Sequence, residues 1–218
     1  MNIATAQPVP LLFAFALILG AAGAPPALAV DQAQVREKWH TPYGLYLSAA
    51  EALAMKRRDG DALAFVDVRT RAELKYVGAP QQIDVNLPLR FFQTDRWSQR
   101  NASFATDPNR RFAAELLAWL ATRGGDRDTP IILMCQSGSR SPIAAKLLHR
   151  AGFSTVYTLY EGFEGVKAKS GERAGQRVVN GWKNAGLPWS YRLAREKMYA
   201  PDQWVAAADA SSSGTASE

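Results

Sequence analysis

The stretch IILMCQSGSRSPIAAKLLHRAG, residues 131–152, contains the strand, loop and helix on which the predicted fold depends. Its first four residues are apolar, which predicts a strand that is covered on both faces of a sheet. Residues 142–151 have helical spacing, and Gly152 suits the position just after a helix. The loop CQSGSR, residues 135–140, therefore follows the carboxyl end of a buried strand. In parallel α/β sheets the reactive site lies at such ends, so we expect the chemistry in this loop.

Short apolar runs alternate with helical segments on both sides of this unit. Two helices are predicted to open with capping boxes, one at Ser48 with Glu51 and one at Thr70 with Glu73. A further helix is predicted over residues 110–123. The additional strands are predicted at residues 44–47, 63–68, 83–87 and 156–159. This alternation predicts an α/β fold with a central parallel sheet of about four to five strands, flanked by helices on both faces.

Residues 91–109 connect a predicted strand to a predicted helix and are polar with interspersed aromatic residues. We predict a long loop here. Two roles are open for Phe91, Phe92 and Trp97: they wall the reactive site, or they pack the loop itself.

The chain ends differ in composition from its centre. Residues 11–24 are an apolar run followed by the small-residue site Ala27-Leu28-Ala29, which predicts a signal peptide over residues 1–29 and a periplasmic or secreted protein. An uncleaved membrane anchor is the alternative, although the run is shorter than the roughly 20 residues of a spanning helix. One domain is predicted over residues 40–190, followed by an extension at 191–205 and a disordered tail at 206–218. No stable membrane insertion is expected after signal cleavage.

Charge and composition exclude several classes of partner. The formal net charge of +6 favours anionic small molecules, acidic proteins or lipid head groups. Basic residues are scattered and do not interleave with aromatic ones, so we predict no nucleic-acid partner. One cysteine and two histidines cannot supply a zinc site, and no glycine-rich nucleotide loop follows a strand. We therefore predict neither a metal nor a cofactor.

Cys135 is the only cysteine of the chain, so it cannot form an internal disulfide. It is a buried inert thiol, an intermolecular link or a reactive thiol, and the loop around it favours the last. Gly138 can adopt a positive φ, and Ser141 with Pro142 is expected to cap and open the following helix. Backbone N–H groups can then converge on the sulfur. The predicted substrate-binding residues are Gln136, Ser137, Gly138, Ser139, Arg140 and Ser141.

The predicted chemistry of Cys135 needs no histidine as base. Loop N–H groups, the positive end of the helix dipole and the charge of Arg140 all favour a thiolate. The same cradle can bind a sulfur anion such as thiosulfate, with Arg140 aligning its sulfonate end. Attack on the outer sulfur gives a persulfide and sulfite. Because the chain has no second cysteine, the sulfur must pass to an external thiol, cyanide or protein acceptor.

The loop CQSGSR resembles the CxxGxR active-site loop of the rhodanese family, which implies a sulfurtransferase with Cys135 as the catalytic residue. Two further elements are similar. Residues 66–73 contain the family's DVR-x3-E segment, in which Asp67, Arg69 and Glu73 are implied to be mainly structural. Residues 159–162 with 182–188 resemble its L-x-G-G and W-x3-G-L-P elements. The resemblance spans roughly residues 44–189.

The sequence departs from the family pattern in three places. Residues 77–88 lack the usual histidine, Phe163 replaces the second glycine, and residues 166–179 are inserted. The insertion is polar and basic and borders the region where an acceptor docks, so it bears on acceptor identity.

Two other functions are open at this point. One is a binding module without turnover, an accessory to an oxidoreductase or a sulfur-oxidation system, which uses the insertion and a predicted helix over residues 191–199 as its contact surface. The other is a phosphatase or arsenate reductase. Relatives with that chemistry resemble C-x5-R, whereas residues 135–140 form C-x4-R, and the shorter loop favours sulfur over phosphorus.

Overall fold

A computed structural model of the protein describes residues 30–204. The predicted signal peptide at 1–29 and the predicted tail at 206–218 therefore lie outside the described residues. No helix between residues 30 and 204 has the length and apolar character that a membrane crossing requires.

Five strands form a central sheet in which every neighbouring pair is parallel, in the order β1-β8-β7-β2-β4. The strands are β1 Tyr46–Leu47, β2 Ala64–Asp67, β4 Val85–Asn86, β7 Ile131–Met134 and β8 Val156–Leu159. The helices are α1 Ala49–Asp59, α2 Arg71–Val77, α3 Phe112–Ala121 and α4 Ser141–Arg150. The predicted α/β fold class is confirmed, and both predicted capping boxes are present, at Ser48 and at Thr70.

The alternation of side chains along the strands divides the core into two layers. On β7, Ile131 and Leu133 pack with apolar residues of α3 and α4. Ile132 and Met134 pack on the opposite face with residues of α1 and α2 and with Trp182. Cys135 continues the alternation, so its side chain points to the face that α3 and α4 cover.

The prediction of a long loop over residues 91–109 is wrong. The chain forms an antiparallel hairpin there, with β5 Arg90–Ser98 and β6 Ser103–Pro108 joined by a 3₁₀ turn. Most of its side chains are partly or fully exposed, so the sequence has no buried face and no alternation to indicate strands. Trp97 is 54% exposed and contacts Phe104 edge to face on the hairpin.

The helix predicted over residues 191–199 is also absent. A short antiparallel pair joins β3 Ala79–Pro80 to β9 Trp189–Ser190, and the only regular turn in 191–199 is the 3₁₀ segment Arg195–Lys197. Tertiary contacts hold this extension: Tyr199 packs against the core layer of α3 and α4, and Trp204 is buried in it. These contacts with the core hold the extension in place, so its sequence does not need the periodic apolar pattern of a helix.

Candidate active site

Cys135 directly follows β7, and its side chain is fully buried. The backbone N–H of Arg140 donates a hydrogen bond to Sγ over 3.3 Å. This bond joins the two ends of the loop 135–140. Hydrogen bonds to sulfur stabilise its anionic form more than its neutral form. The structure thus places one N–H of the predicted cradle on the sulfur.

The loop lies directly on the turn that follows β8. The N–H groups of Phe163 and Glu164 donate to the carbonyls of Cys135 and Gln136, each over 2.8 Å. A Cβ on Gly138, which has φ of +79°, would lie 1.7 Å from the carbonyl oxygen of Tyr160. The positive φ predicted for Gly138 is confirmed, and the close approach of the two backbones is a second reason for glycine here.

The N–H groups between the ends of the loop remain available for an anion. In the part of the chain that the structure describes, none of the N–H groups of Gln136, Ser137, Gly138 and Ser139 donates to a protein acceptor. The Gln136 side chain is bound to Glu164, because its Nε2 donates a hydrogen bond to Glu164 Oε2 over 2.7 Å. Successive N–H groups in a tight loop form a concavity that suits anions.

The guanidinium of Arg140 forms a two-point ion pair with Glu73. The separations are 2.8 Å from Nη1 to Oε2 and 2.5 Å from Nη2 to Oε1. Burial alone disfavours charge on either group, but their mutual hydrogen bonds and attraction outweigh it, so the pKa of Glu73 is lowered and that of Arg140 is raised. Both groups therefore stay charged, and Glu73 offsets much of the positive charge that the sequence assigns to Arg140.

A sequence model of the rhodanese-like domain matches residues 48–169, more than half of the chain. The chain belongs to the rhodanese-like domain family. The match includes β7, the Cys135 loop and α4, and it ends inside the predicted insertion at 166–179.

Several proteins are similar to this chain over most of their own length. A protein of Rickettsia prowazekii with the name "Uncharacterized protein RP600" is 29% identical over 58% of this chain and 81% of its own. A homologue of RP600 in Rickettsia rickettsii is 30% identical over 60% of this chain and 85% of its own. The crystal structure of Rv0390 from M. tuberculosis is similar with a TM-score of 0.50 and 29% identity, over 67% of this chain and 97% of that one.

Ser141 does not cap the helix that follows the rhodanese loop, contrary to the prediction. It is the first residue of α4, and Arg140 occupies the N-cap position without a side-chain cap bond. Arg140 has φ of −90° and ψ of −33°, whereas a capping side chain reaches the helix N–H groups from an extended N-cap. Ser141 Oγ is buried, and within residues 30–204 it has no hydrogen-bond partner.

Asp67 and Arg69 form a fully buried ion pair at the end of β2. The Arg69 guanidinium also donates to the carbonyl of Gly78 and stacks on the Phe163 ring, 4.0 Å from its centroid. Phe163 belongs to the core layer on the face opposite Cys135. This arrangement agrees with the structural role that the rhodanese resemblance implies for both residues.

Phe91 and Phe92 line a surface cleft of about 290 Å³ with Thr70, Arg71 and Arg90. The cleft adjoins the first turn of α2, whose Glu73 binds Arg140. Within residues 30–204 no residue of the loop 135–140 lines this cleft. Phe91 packs against Tyr199 and Phe92 against Phe104, so the contacts of both are with the hairpin and the extension, and the hairpin strands on which they sit were missed. The Glu73 partner of Arg140 and the contact of Gly162 with Ser137 were also missed. The only sequence signals for them were the capping box at Glu73 and the family element that contains Gly162.

Proposed function

We propose that this rhodanese-like protein is a sulfurtransferase that moves sulfane sulfur from thiosulfate or a persulfide donor through a persulfide on Cys135. The observation that carries the proposal is the Arg140 N–H bond to Cys135 Sγ, at the head of a loop whose next four N–H groups have no protein acceptor within residues 30–204. Membership of the rhodanese-like family supports it.

The first half-reaction forms one sulfur–sulfur bond and breaks another. The Cys135 thiolate attacks the outer sulfur of thiosulfate, and the electron pair of the thiosulfate S–S bond leaves with sulfite. The loop N–H groups of residues 136–139 stabilise the negative charge on the enzyme persulfide. Arg140 holds the loop through Glu73 in this scheme and supplies its backbone N–H, while its side-chain charge is largely offset.

The second half-reaction needs an acceptor from outside the chain, since Cys135 is its only cysteine. An acceptor thiolate attacks the outer sulfur of the persulfide, and the electron pair of the enzyme S–S bond returns to Cys135. Cyanide accepts the same sulfur to give thiocyanate. The cycle is redox-neutral and needs neither a metal nor an organic cofactor.

Intact-mass measurement after thiosulfate treatment tests the first half-reaction. We expect a mass increase of one sulfur atom, removed by cyanide and absent in Cys135→Ser, together with loss of thiosulfate:cyanide turnover in that variant. A Cys135→Ser/Ser103→Cys protein carries its thiol on the exposed hairpin and serves as the matched control. Equal turnover in wild type and Cys135→Ser, or restoration of turnover by the hairpin thiol, would contradict the proposal.

A second candidate is a binding module without turnover. The observation that favours it is the complete burial of the Cys135 side chain within a core layer. In this case the mass increase is absent after thiosulfate treatment and Cys135→Ser leaves partner binding unchanged. A persulfide that forms and transfers at a catalytic rate excludes this candidate.

We propose in addition that the protein is exported, on the basis of the apolar run at residues 11–24 and the small-residue site that ends at Ala29. Amino-terminal sequencing of the protein recovered from a periplasmic or culture fraction is expected to begin at Val30. Recovery of the full-length chain in the membrane fraction would favour the uncleaved anchor.

A further inference from the structure

Residues 166–177, which we name the basic loop, project from the turn that follows β8. The loop is ordered by isolated backbone bridges between Lys167 and Arg177 and between Ala168 and Ala174. Within the inserted residues 166–179 there are four basic residues and one acidic residue, Glu172.

The base of the basic loop is fixed by amide side chains. Asn180 Oδ1 accepts a hydrogen bond from the N–H of Val166. Asn184 Nδ2 donates to the carbonyls of Glu164 and Asn180 over 2.9 and 2.8 Å. Arg177 Nη1 donates to the carbonyl of Gly165 over 2.8 Å. The loop is thus anchored at its ends.

The anchor of the basic loop is also the support of the catalytic loop. Glu164 binds the Gln136 carbonyl through its N–H and the Gln136 side chain through its carboxylate. Val166 is two residues further on, so its Cα lies within about 8 Å of that of Glu164. The basic loop therefore starts on the same segment that holds residues 135–140 in place.

Three of the four cations of the basic loop are directed to solvent. Lys167, Lys169 and Arg173 are exposed, and within residues 30–204 none of them forms an ion pair. Between Lys167 and Arg177 the sequence KAKSGERAGQR has no aromatic or large aliphatic residue. Amphipathic membrane-binding segments combine charge with such residues, and segments that bind lipid by charge alone carry about four to eight Lys or Arg, so three exposed cations favour an acidic protein over a lipid surface.

We propose that the basic loop docks an acidic segment that flanks the acceptor thiol of a partner protein. This inference rests on the proposed function and names the acceptor class. The N–H groups of residues 136–139 suit one small anion, whereas the three exposed cations lie on a separate segment and match a larger polyanion. Docking brings the partner thiolate to the outer persulfide sulfur, and the electron pair of the broken S–S bond returns to Cys135.

Persulfide transfer to two cysteine peptides of equal length tests the docking site. One peptide has two glutamates on each side of its cysteine, and the other has two lysines. The thiosulfate-loaded protein is mixed with each peptide at low ionic strength, and the rate is followed by the mass of the peptide persulfide. We expect the ratio of the acidic to the basic peptide rate to fall at least about tenfold in Lys167→Glu/Lys169→Glu. Comparing ratios between proteins cancels the different intrinsic reactivity of the two peptide thiols.

The matched control is Arg57→Glu/Arg150→Glu, which makes the same charge change at exposed positions at the ends of α1 and α4. We expect its peptide ratio to stay near that of wild type, and transfer to 2-mercaptoethanol to be equal in all three proteins. Equal ratios in wild type and Lys167→Glu/Lys169→Glu would overturn the inference. So would binding to vesicles of anionic phospholipid that depends on these lysines without a peptide preference. Failure to load the sulfur instead contradicts the proposed function and is read separately, before any peptide is added.

Discussion

Arg140 and Glu73 are 67 positions apart in the chain, and the guanidinium of one meets the carboxylate of the other through two hydrogen bonds. Glu73 also accepts from the N–H of Thr70 and completes the capping box of α2. One carboxylate therefore connects the first turn of α2 to the residue whose N–H contacts Cys135 Sγ. The pair thus fixes one end of the loop 135–140 to α2.

Glu73→Gln is expected to lower the free energy of unfolding by about 2–3 kcal/mol at pH 7, because a glutamine keeps the capping box but leaves Arg140 without its counter-charge. Since the folded pKa of Glu73 is lowered, its contribution is present above the unfolded value of about 4.3 and is lost as the pH falls below it. The difference between the two proteins should therefore shrink in acid. Urea unfolding at several pH values measures it.

Glu51→Gln is the matched control for that experiment. Glu51 completes the capping box of α1 and forms no ion pair within residues 30–204. We expect this change to cost much less than Glu73→Gln. Equal losses would mean that the pairing of Glu73 with Arg140 contributes nothing beyond the cap.

Gly138→Ala should destabilise the protein far more than Gly171→Ala. Both glycines have φ near +80°, but a Cβ at Gly138 meets the Tyr160 carbonyl, whereas no atom of residues 30–204 lies within 4 Å of a Cβ at Gly171. We expect about 1–2 kcal/mol for Gly171→Ala from backbone strain, and at least about 3 kcal/mol or failure to fold for Gly138→Ala, where overpacking adds to the strain. Chemical denaturation compares them, and similar losses would argue against the close packing of the two loops.

Ser141→Ala is expected to change the free energy of unfolding by less than about 0.5 kcal/mol, because Oγ has no partner within residues 30–204 and caps nothing. Ser48→Ala removes a real cap and should cost about 1 kcal/mol. Thermal or urea unfolding of both variants checks the contrast. A loss at Ser141 as large as that at Ser48 would restore the capping role predicted from the sequence.

Tyr199→Phe is expected to lower the free energy of unfolding by about 1–3 kcal/mol at neutral pH, since the Tyr199 hydroxyl lies 2.9 Å from both oxygens of the buried Glu115 carboxylate. Burial, and then Glu115, raise the pKa of Tyr199. A raised folded pKa gives stability that is present below the unfolded value of about 10 and is lost as the pH rises above it. The advantage of wild type should therefore decrease above about pH 10. Tyr191→Phe, at a 60% exposed position, is the control with little expected effect.

Local sequence determined the strand that carries Cys135 and the residue types of the loop after it. The four apolar residues of β7 are buried on both faces, so their continuous apolar character was sufficient to predict the strand. The capping boxes at Ser48 and Thr70 depend on residues three positions apart, and these too were predictable. Cys135 at the strand end followed from the same local pattern.

Only the tertiary structure decided which groups surround that cysteine. The pairing of Arg140 with Glu73 and the contact of Gly138 with Tyr160 join segments that are distant in the chain, and no periodicity encodes such contacts. The same holds for the hairpin β5–β6, whose exposed faces carry no alternation, and for the extension that Tyr199 anchors. Sequence alone determined a thiol in a glycine-containing loop after a parallel strand, and its complete burial came from the tertiary structure. Packing decided that Arg140 pairs with Glu73, because a largely buried guanidinium needs a counter-charge and the fold places one carboxylate within reach.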